Sequence, residues 1–351
     1  MTIDDLTTRS GQWLSGGPLS EIVISSRVRL ARNLAGFPFL SKATEAQRRE
    51  IEHLLGEKIG SIDLGHETFY VDIARSSELD RQVLVERHLI SRQHAEGEGH
   101  RGVILSTTEE FALMVNEEDH LRLQALRGGF QLEDAWKEID RIDSALEEKI
   151  DYAFHDRFGY LTACPTNVGT GIRVSVMLHL PALKLTNELE KVMRAARDMH
   201  LAVRGLYGEG TEATGDFYQI SNQTTLGKSE EEIIAEFKDR VIPRIVEYET
   251  LARETLVRER PVALDDKIWR AYGVLENARA VSSEETLFLL SHLRMGVSLG
   301  RIDRLKLDTV NRLFLLTQPG HLQKIHGSPL DGEQRSIARA EFIRRTLVSN
   351  N

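Results

Sequence analysis

The sequence is poor in several features, and each shortage excludes a class of protein. Its single cysteine, Cys164, excludes an internal disulfide framework and favours a reducing compartment. No apolar run approaches the length of a membrane span, and the start MTIDDLTTRSGQWL has no basic segment followed by an apolar one, as a signal peptide would. The 45 basic residues are outnumbered by 54 acidic ones, which argues against nucleic acid as the main partner. We therefore predict a cytoplasmic protein that binds neither membranes nor nucleic acid.

The lone cysteine opens an unusual stretch, CPTNVGTGIR, which ends at Arg173. Its proline, asparagine and two glycines predict a shaped turn, and the residues from Ile172 to Leu180 predict a strand. Glycines let the backbone approach a ligand closely, and turn amides can bind anions. From residue types alone, a glycine-rich hairpin with an ordinary buried cysteine explains this stretch equally well.

Two arginines lie on an earlier predicted strand, EIVISSRVRL, which covers residues 21–30. The two-residue period of a strand places Arg27 and Arg29 on one face. Because like charges repel, this pair favours a bound anion, and the guanidinium fork binds phosphate oxygens bidentately. A solvated basic sheet edge is the alternative interpretation. A third polar stretch, NEEDHLR at residues 116–122, sets three acids before a histidine and an arginine.

Together these stretches resemble the phosphagen (guanidino) kinases, the family of creatine kinase and arginine kinase. CPTNVGTGIR resembles the family signature, NEEDHLR resembles a second motif, and RGLYGEGT at residues 204–211 resembles a third. The resemblance implies that Glu118, Glu209 and Cys164 are the catalytic residues around a guanidinium substrate, with ATP and Mg²⁺ as cofactors. The nucleotide-contacting positions that it implies are Ser25, Ser26, Arg27, Val28, Arg29, His88, Arg122, Arg173, Val174, Ser175, Val176, Met177, Arg204, Gly205, Leu206, Tyr207, Gly208 and Glu209.

The chemistry of guanidinium phosphorylation requires residues of these types. A guanidinium has a pKa above about 12 and is a poor nucleophile while protonated. Two carboxylates can fix its plane and accept its proton, and a thiolate adds a further negative contact. Arginines stabilise the negative charge of the transferred phosphoryl group. No metal-binding motif of histidines or cysteines is present, so no metal site held by the protein itself is predicted.

Strand and hairpin patterns without sustained βαβ alternation agree with the fold that the resemblance implies, which is an α+β fold with an antiparallel sheet and flanking helices. Helical periodicity predicts helices at residues 44–59, 131–154 and 229–260. Residues 256–351 have few strand signals, which predicts a C-terminal helical domain after a catalytic domain at residues 1–255. We expect this helical domain to have a dimerisation or regulatory role.

The domain order favours one group within the family. Metabolite kinases of the family carry a helical domain before the S-S-R-V-R motif, whereas this chain has 24 residues before Ser25. With the string SVMLHLPAL, the arrangement resembles the bacterial protein-arginine kinases. Members of that group phosphorylate protein arginines, mark proteins for Clp-type proteolysis and inactivate a stress-gene repressor. The resemblance implies protein substrates with accessible arginines, an activator protein, a Clp-type chaperone or protease, and a homodimer or larger assembly. A kinase for a small guanidino metabolite and a non-catalytic adaptor for arginine or phosphoarginine are the alternatives.

The predicted last helix, residues 331–347, carries a possible regulatory motif. Arg335 and Arg339 are four positions apart and share a helix face. The segment from Arg335 to Ala340 resembles the R-D-x-x-R-A motif with which protein-arginine kinases bind phosphoarginine and switch activity. Because Ser336 replaces the acid, we expect an allosteric site at Arg335, Ser336, Arg339 and Ala340 that recognises the guanidinium half weakly. A solvated basic helix surface is the alternative.

Overall fold

A computed structural model describes residues 1–205 and 214–349. Its strands, in chain order, are β1 (Val23–Arg32), β2 (Thr68–Asp72), β3 (Gly102–Ser106), β4 (Phe111–Val115), β5 (Leu121–Gly128), β6 (Phe154–His155), β7 (Gly159–Tyr160), β8 (Ile172–His179), β9 (Leu201–Arg204) and β10 (Phe217–Asn222). All of them except the small hairpin β6–β7 form one sheet, in the order β2-β3-β4-β5-β1-β8-β10-β9. Every neighbouring pair in this sheet is antiparallel.

Helices surround the sheet and form the C-terminal part of the chain. They are α1 (Ile3–Leu6), α2 (Glu45–Gly60), α3 (Glu78–Glu86), α4 (Arg92–Glu96), α5 (Leu132–Glu147), α6 (Pro181–Leu185), α7 (Leu189–Asp198), α8 (Glu230–Glu236), α9 (Ile242–Glu259), α10 (Pro261–Asn277), α11 (Ser283–Ser298), α12 (Leu307–Leu316), α13 (Pro319–His326) and α14 (Gly332–Ser349). The predicted α+β class, with an antiparallel sheet, flanking helices and a helical C-terminal region, is confirmed. Every helix within the described residues is too short or too polar to serve as a membrane span.

The central strands alternate between an apolar and a polar face. On the apolar face, Val28 of β1 lies opposite Val174 of β8 and Ala125 of β5, and all three are buried. Helix α5 packs on this face, with buried residues at a near-helical spacing that include Ile139 and Ile142. The polar residues of β1, β5, β8 and β10 are therefore gathered on the other face of the sheet.

The predicted helix at residues 44–59 forms as expected. Thr44 caps α2 by accepting the Gln47 backbone N–H at 3.3 Å, and the Gln47 side chain accepts the Thr44 backbone N–H at 2.9 Å. This capping box satisfies two donors that a helix N-terminus leaves without partners. The buried residues Ile51, Leu55 and Ile59 then follow at intervals of four along one face.

One other predicted helix is too long, and another forms over its predicted range with a local change of pitch. The helix predicted for residues 131–154 ends at Glu147, because the chain beyond it turns to pair Tyr152 with Leu34 beside β1. The helix predicted for residues 229–260 is interrupted by a π-helical segment, Phe237–Val241. Pro243 follows this segment and has no N–H for a regular helical hydrogen bond, which explains the local change of pitch.

We call residues 261–349 the C-terminal module, and it shares one continuous hydrophobic core with the sheet. Arg294 of α11 is fully buried where the two parts meet. Its guanidinium donates to the Glu21 carbonyl oxygen at 2.8 Å, just before β1, and to the Asn311 side chain of α12 at 3.0 Å. Helix α9 runs through the predicted boundary at residue 255 and ends at Glu259. The boundary itself stays a prediction.

A buried ion pair joins β1 to α5 and to the turn before β8. Arg32 donates to one Asp143 carboxylate oxygen through Nε at 3.1 Å and through a terminal nitrogen at 2.6 Å. Its other terminal nitrogen donates to the Thr170 carbonyl oxygen at 2.9 Å, and its guanidinium lies 3.6 Å from the Tyr160 ring centroid. Arg32 therefore fixes the stretch that follows Cys164 relative to the sheet.

We expect Asp143→Ala to lower the free energy of unfolding by about 3–5 kcal/mol, because it leaves the buried Arg32 charge without its carboxylate. Urea denaturation followed by circular dichroism measures this loss. The matched control is Asp266→Ala, which removes the exposed pair with Arg270 and should cost less than about 1 kcal/mol. Equal, small losses in the two variants would show that the Arg32 pair is not a structural support.

Candidate active site

The arginines singled out in the sequence meet on the polar face of the sheet. Arg29 lies directly opposite Arg173 of β8, and Arg27 lies opposite Ser175. On the other side of β1, Arg122 of β5 is paired with Ala31, two positions from Arg29. Because directly opposed residues point to the same face, the strand register alone brings these guanidinium groups together.

They line an open cleft with a volume of about 790 Å³. The predicted catalytic and nucleotide-contacting residues in its wall are Arg27, Arg29, His88, Glu118, Arg122, Cys164, Arg173 and Arg204. A small adjoining pocket is lined by further predicted residues, Ser25, Ser175 and Met177, together with Arg27 and His88.

The remaining predicted nucleotide-contacting residues, as far as the structure describes them, do not line the cleft. Four of them are buried, and the register puts their side chains on the apolar face: Ser26, Val28, Val174 and Val176. Gly205 follows Arg204 at the end of β9. The predicted positions Leu206, Tyr207, Gly208 and Glu209 lie outside the described residues.

The Arg27 guanidinium is held by neutral partners only within the described residues. Its Nε donates to Ser175 Oγ at 3.2 Å and a terminal nitrogen donates to Gln219 Oε1 at 3.0 Å. Burial, followed by repulsion from Arg122, Arg173 and Arg204, lowers the pKa of Arg27 to about 9. Because guanidinium groups stay protonated in proteins, the lowered pKa of Arg27 indicates that this site favours the binding of negative charge.

Arg29 shows the same excess of positive charge. Burial and then the charges of Arg27, Arg122 and Arg173 lower its pKa well below the ordinary value, although Glu117 opposes the shift. Its Nε is buried and has no hydrogen-bond partner among the residues that the structure describes. A polyphosphate would supply both the missing acceptor and the missing charge.

Glu117 is an important site residue that the sequence did not single out. Its side chain is only 1% exposed and accepts a hydrogen bond from Arg122 at 2.6 Å. It also accepts hydrogen bonds from the Ser91 hydroxyl and from the Glu118 backbone N–H. Burial alone would raise the pKa of Glu117, but the Arg122 charge and these hydrogen bonds outweigh it and lower the pKa to about 2. Glu117 therefore stays ionised at physiological pH, and its negative charge orients Arg122.

Glu118 differs from its neighbour in exposure. Its side chain is 30% exposed, and its nearest carboxylate oxygen is 3.9 Å from the Arg122 guanidinium. Both glutamates belong to the cleft wall, but the Glu117 side chain is buried against Arg122, whereas the Glu118 side chain is partly exposed. The two adjacent glutamates therefore have different positions, and Glu118 is the one placed to meet a cationic group that enters the cleft.

The next two residues of the same motif hold neighbouring loops. Asp119 accepts hydrogen bonds from Asn33 Nδ2 at 2.6 Å and from the Ala163 backbone N–H at 2.7 Å, directly before Cys164. His120 Nδ1 accepts the Leu34 N–H at 3.0 Å, so its Nε2–H donates to the Pro38 carbonyl oxygen at 3.0 Å. The motif thus carries a cleft residue, an arginine support and two loop anchors within seven positions.

Cys164 lies partly exposed at the cleft wall, with its sulfur 3.0 Å from Thr166 Oγ1. The Thr225 hydroxyl fixes the loop by contacts with the carbonyl oxygens of Thr166, at 3.0 Å, and Val168, at 2.7 Å. A glycine is required at 169, where φ is +115° and a Cβ would come within 2.8 Å of the Thr225 carbonyl oxygen. The loop that presents the thiol therefore has little freedom to move.

His88 lies at one end of the cleft, where α3 has ended. Its backbone has a left-handed φ of +59°, and its ring meets Trp13 edge-on at 5.0 Å between centroids. Burial and the Arg27 charge lower the pKa of His88 to about 3, so the ring is neutral at physiological pH. With the buried Met177 beside it, this end of the cleft is less charged than the arginine-rich centre.

Comparison with known proteins defines the class of this protein. Residues 50–252 match the family model described as ATP:guanido phosphotransferase, C-terminal catalytic domain. The solved structure of lombricine kinase is similar with a TM-score of 0.58 and 26% identity, over 69% of this chain and 71% of that one. The duplicated taurocyamine kinase from Schistosoma mansoni, with bound transition state analog components, gives a TM-score of 0.61 and 25% identity, over 76% of this chain and 42% of that one. The chain belongs to the ATP:guanido phosphotransferases and is a phosphotransferase.

The remainder of the chain defines its group within the family. Residues 261–351 match the model described as Protein-arginine kinase McsB C-terminal domain. The chain is 45% identical over 353 residues to the protein-arginine kinase of Halothermothrix orenii, covering 99% of both. It is 42% identical over 351 residues to the protein-arginine kinase of Bacillus cereus (strain G9842), again covering 99% of both. Within the family, this chain therefore groups with the bacterial protein-arginine kinases, as the sequence motifs predicted.

The pKa of Glu117 predicts how acid affects the protein. The ordinary value is 4.5 and the folded value is about 2, so the Glu117–Arg122 pair stabilises the fold above pH 4.5. This contribution is lost as the pH falls from 4.5 towards 2, because only the unfolded state takes up the proton in that interval. We expect the stability advantage of the wild type over Glu117→Gln to shrink by about 3 kcal/mol from pH 6 to the acid end of that interval.

Urea denaturation at a series of pH values measures this difference. Glu254→Gln, at an exposed position on α9, is the control and should follow the wild type at every pH. A constant difference between the wild type and Glu117→Gln across the acid range would contradict the lowered pKa.

Proposed function

We propose that this protein transfers the γ-phosphoryl group of ATP to arginine side chains of proteins. The observation that carries the proposal is the convergence of partly buried arginines, repelling one another, beside Glu118 and Cys164 in an open cleft. Phosphate binding explains the arginines, and a guanidinium acceptor explains the exposed carboxylate and thiol next to them. The match with protein-arginine kinases over 99% of the chain supports the choice of acceptor.

In the proposed reaction, a guanidinium nitrogen of the acceptor attacks the γ-phosphorus. An N–P bond forms, the P–O bond to ADP breaks, and the nitrogen loses its proton. Glu118 holds the guanidinium plane by charge-assisted hydrogen bonds and accepts that proton, which raises the nucleophilicity of the nitrogen. We assign Cys164 a second negative contact as its thiolate. Glu209, which lies outside the described residues, is the second proposed carboxylate on the strength of the family motif.

The arginine cluster would hold the phosphates of ATP in line with this attack. We assign this role to five residues in the cleft wall: Arg27, Arg29, Arg122, Arg173 and Arg204. Their charges match the negative charge that spreads over the phosphoryl oxygens in the transition state. No cluster of three or more potential metal ligands occurs in residues 1–205 and 214–349. We propose that Mg²⁺ would enter together with ATP, where it would supply positive charge to the phosphates beside the arginines.

A protein substrate fits the surroundings of the cleft better than a small metabolite does. Before β1, the helical structure is limited to α1 (Ile3–Leu6) and a single 3₁₀ turn (Gln12–Leu14). Among the described residues, the cleft is therefore not enclosed by a helical domain on the N-terminal side of β1. An arginine on a protein surface needs an unenclosed cleft, because its backbone must stay outside while the guanidinium reaches Glu118.

The test combines purified protein, ATP and Mg²⁺ with an arginine-rich protein and, separately, with free arginine. We expect phosphoarginine on the protein, located by mass spectrometry under non-acidic conditions because the P–N bond is acid-labile. Glu118→Gln should lower turnover on the order of 10²-fold, since it removes the proton acceptor but keeps the side-chain shape.

The control for this experiment is Glu50→Gln, at an exposed position on α2 outside the set of cleft residues, which should retain full activity. Phosphorylation of free arginine alone would instead assign the protein as a metabolite kinase. Binding of arginine or phosphoarginine without transfer would assign it as an adaptor. Either result would overturn the proposal.

The proposal extends to the cellular role that the resemblance to bacterial protein-arginine kinases implies. We propose a cytoplasmic, stress-linked enzyme that works with an activator protein and marks its substrates for a Clp-type protease. Inactivation of a stress-gene repressor by phosphorylation is the second proposed outcome. We further propose that the C-terminal module supports a homodimer or larger assembly.

The proposed regulatory site lies on α14. Arg339 is not part of a solvated helix surface, because it is buried and donates to the carbonyl oxygens of Thr317 at 2.8 Å and Val281 at 3.0 Å. Burial and the neighbouring charge of Arg335 lower the pKa of Arg339 to about 10, which favours a bound anion between them. Ser336 donates to the Gly332 carbonyl oxygen of its own helix, and Ala340 is buried. We propose that phosphoarginine binds here through its phosphate group.

Calorimetry with phosphoarginine on a Glu118→Gln background tests this site. We expect Arg335→Ala to weaken binding at least about tenfold, because it removes one of two phosphate-binding guanidinium groups. Arg345→Ala, which changes an exposed arginine of the same helix that pairs with Glu341, is the control and should bind normally. Equal binding by both variants would remove the regulatory role from α14.

A further inference from the structure

The end of α3 is held by a helix of the C-terminal module. Glu86, the last residue of α3, is 6% exposed and accepts the backbone N–H groups of Gly320 at 2.7 Å and His321 at 3.0 Å. These two donors belong to the first turn of α13, where a helix has N–H groups without internal partners and a positive dipole end. A carboxylate of the catalytic region therefore caps a helix of the module.

His321 adds a second connection at the same place. Its Nε2 accepts a hydrogen bond from Arg87 at 3.1 Å, so its Nδ1–H donates to Glu86 at 2.7 Å. Burial lowers the pKa of His321 despite the neighbouring carboxylate, and the ring is neutral. Arg87 continues the network to Glu109, at 3.0 Å from its Nε, and to the Arg9 carbonyl oxygen at 3.1 Å. The side chains of Glu86, Arg87, Glu109 and His321, which form this network, are all buried.

His88 directly follows Glu86 and Arg87 in the chain and lies in the cleft wall. Its left-handed backbone is unfavourable for a residue with a Cβ, and such a conformation persists only where surrounding contacts determine it. Gln124 of β5 holds the His88 carbonyl oxygen at 2.7 Å, and Trp13 meets the ring. The two residues that precede His88 in the chain, Glu86 and Arg87, are held by hydrogen bonds to α13.

A second cavity shows how near the module lies to this end of the cleft. It is small, with a volume of about 30 Å³, and is lined by His88 and Met177 together with Phe314 and Gln318 of the module. His88 and Met177 also line the small pocket that adjoins the cleft through Arg27. Side chains of the module therefore form the wall behind the neutral end of the cleft.

We propose that Glu86 and His321 are positioning residues for the nucleotide site, and that through them α13 sets the place of His88. The proposal rests on the nucleotide site of the proposed function. The Glu86–His321 pair does not contact the nucleotide. It fixes the backbone at the two positions that precede His88. Loosening it lets His88 leave its left-handed conformation and withdraw from the cleft wall.

The same support continues towards α14. Arg339 donates to the carbonyl oxygen of Thr317, the residue that ends α12 and directly precedes Gln318, the N-cap of α13. A change in the contacts of Arg339 therefore acts on the start of the helix that Glu86 caps. This places the proposed phosphoarginine residues and the proposed nucleotide residue His88 at two ends of one hydrogen-bonded path.

Glu86→Gln and His321→Asn test the proposal. Glutamine keeps the shape but loses the charge that accepts two helix N–H groups, and asparagine keeps a donor for Glu86 but loses the acceptor for Arg87. For each variant we expect the Kd for ATP with Mg²⁺, measured by calorimetry, to rise at least about fivefold. The KM for the protein substrate should stay at the wild-type value, because Glu118 and Cys164 are held by other contacts.

The matched control is Glu249→Gln. Glu249 is also fully buried, and it accepts the backbone N–H groups of Ala182 and Leu183 in the first turn of α6, another helix that begins with proline. Within the described residues, neither Glu249 nor α6 lines the cleft. This variant should lose a similar amount of thermal stability, yet its Kd for ATP should stay within twofold of the wild type. An equal rise in Kd for Glu249→Gln and Glu86→Gln would reduce the effect to general destabilisation and overturn the proposal.

Hydrogen exchange on the wild type provides a second test that does not depend on folding of the variants. Because coupling between two sites is reciprocal, saturating ATP should slow exchange in residues 317–326 as well as in the cleft. Protection of the cleft alone would overturn the positioning role and leave the proposed function intact. Failure of the wild type to bind ATP at all would overturn both.

Discussion

The structure depends on one electrostatic constraint, which is the gathering of arginines on a single face of an antiparallel sheet. The strand register fixes Arg27, Arg29, Arg122 and Arg173 within reach of one another, and the fold cannot move them apart without breaking the sheet. Glu117 is a buried carboxylate that pairs with this group through Arg122. The mutual repulsion that lowers the pKa values of Arg27 and Arg29 is the reason why the cleft suits a polyphosphate.

Much of this arrangement could be predicted from the sequence. Alternation along residues 21–30 was enough to put Arg27 and Arg29 on one face, and the capping box at Thr44 was enough to start α2. The family motifs pointed to Glu118 and Cys164, which do lie in the cleft wall. These features follow from short-range patterns, because a strand period or a helix cap is complete within a few residues.

Other features depend on contacts that no local pattern records. Glu117, Glu118 and Asp119 are adjacent acids, and only the tertiary structure separates an arginine support from a cleft residue and a loop anchor. The predicted helix over residues 131–154 is too long because the bridge between Tyr152 and Leu34 determines where α5 stops. The helical spacing of Arg339 is equally compatible with an exposed position. Its burial follows from its contacts with Thr317 and Val281. In the network of Glu86, Arg87, Glu109 and His321, His321 lies 234 positions from Arg87 and 235 positions from Glu86.

The position of Cys164 has a practical consequence for spectroscopy. Because the chain contains a single cysteine, and because that cysteine is partly exposed in the cleft wall, any thiol-specific reagent attaches at one known place. The loop beneath it is clamped by Thr225, so a fluorophore or spin label there would follow changes in its surroundings more than motion of its own anchor. The wild-type protein thus carries its own labelling site, and distances or polarity at the cleft can be followed without first removing other cysteines.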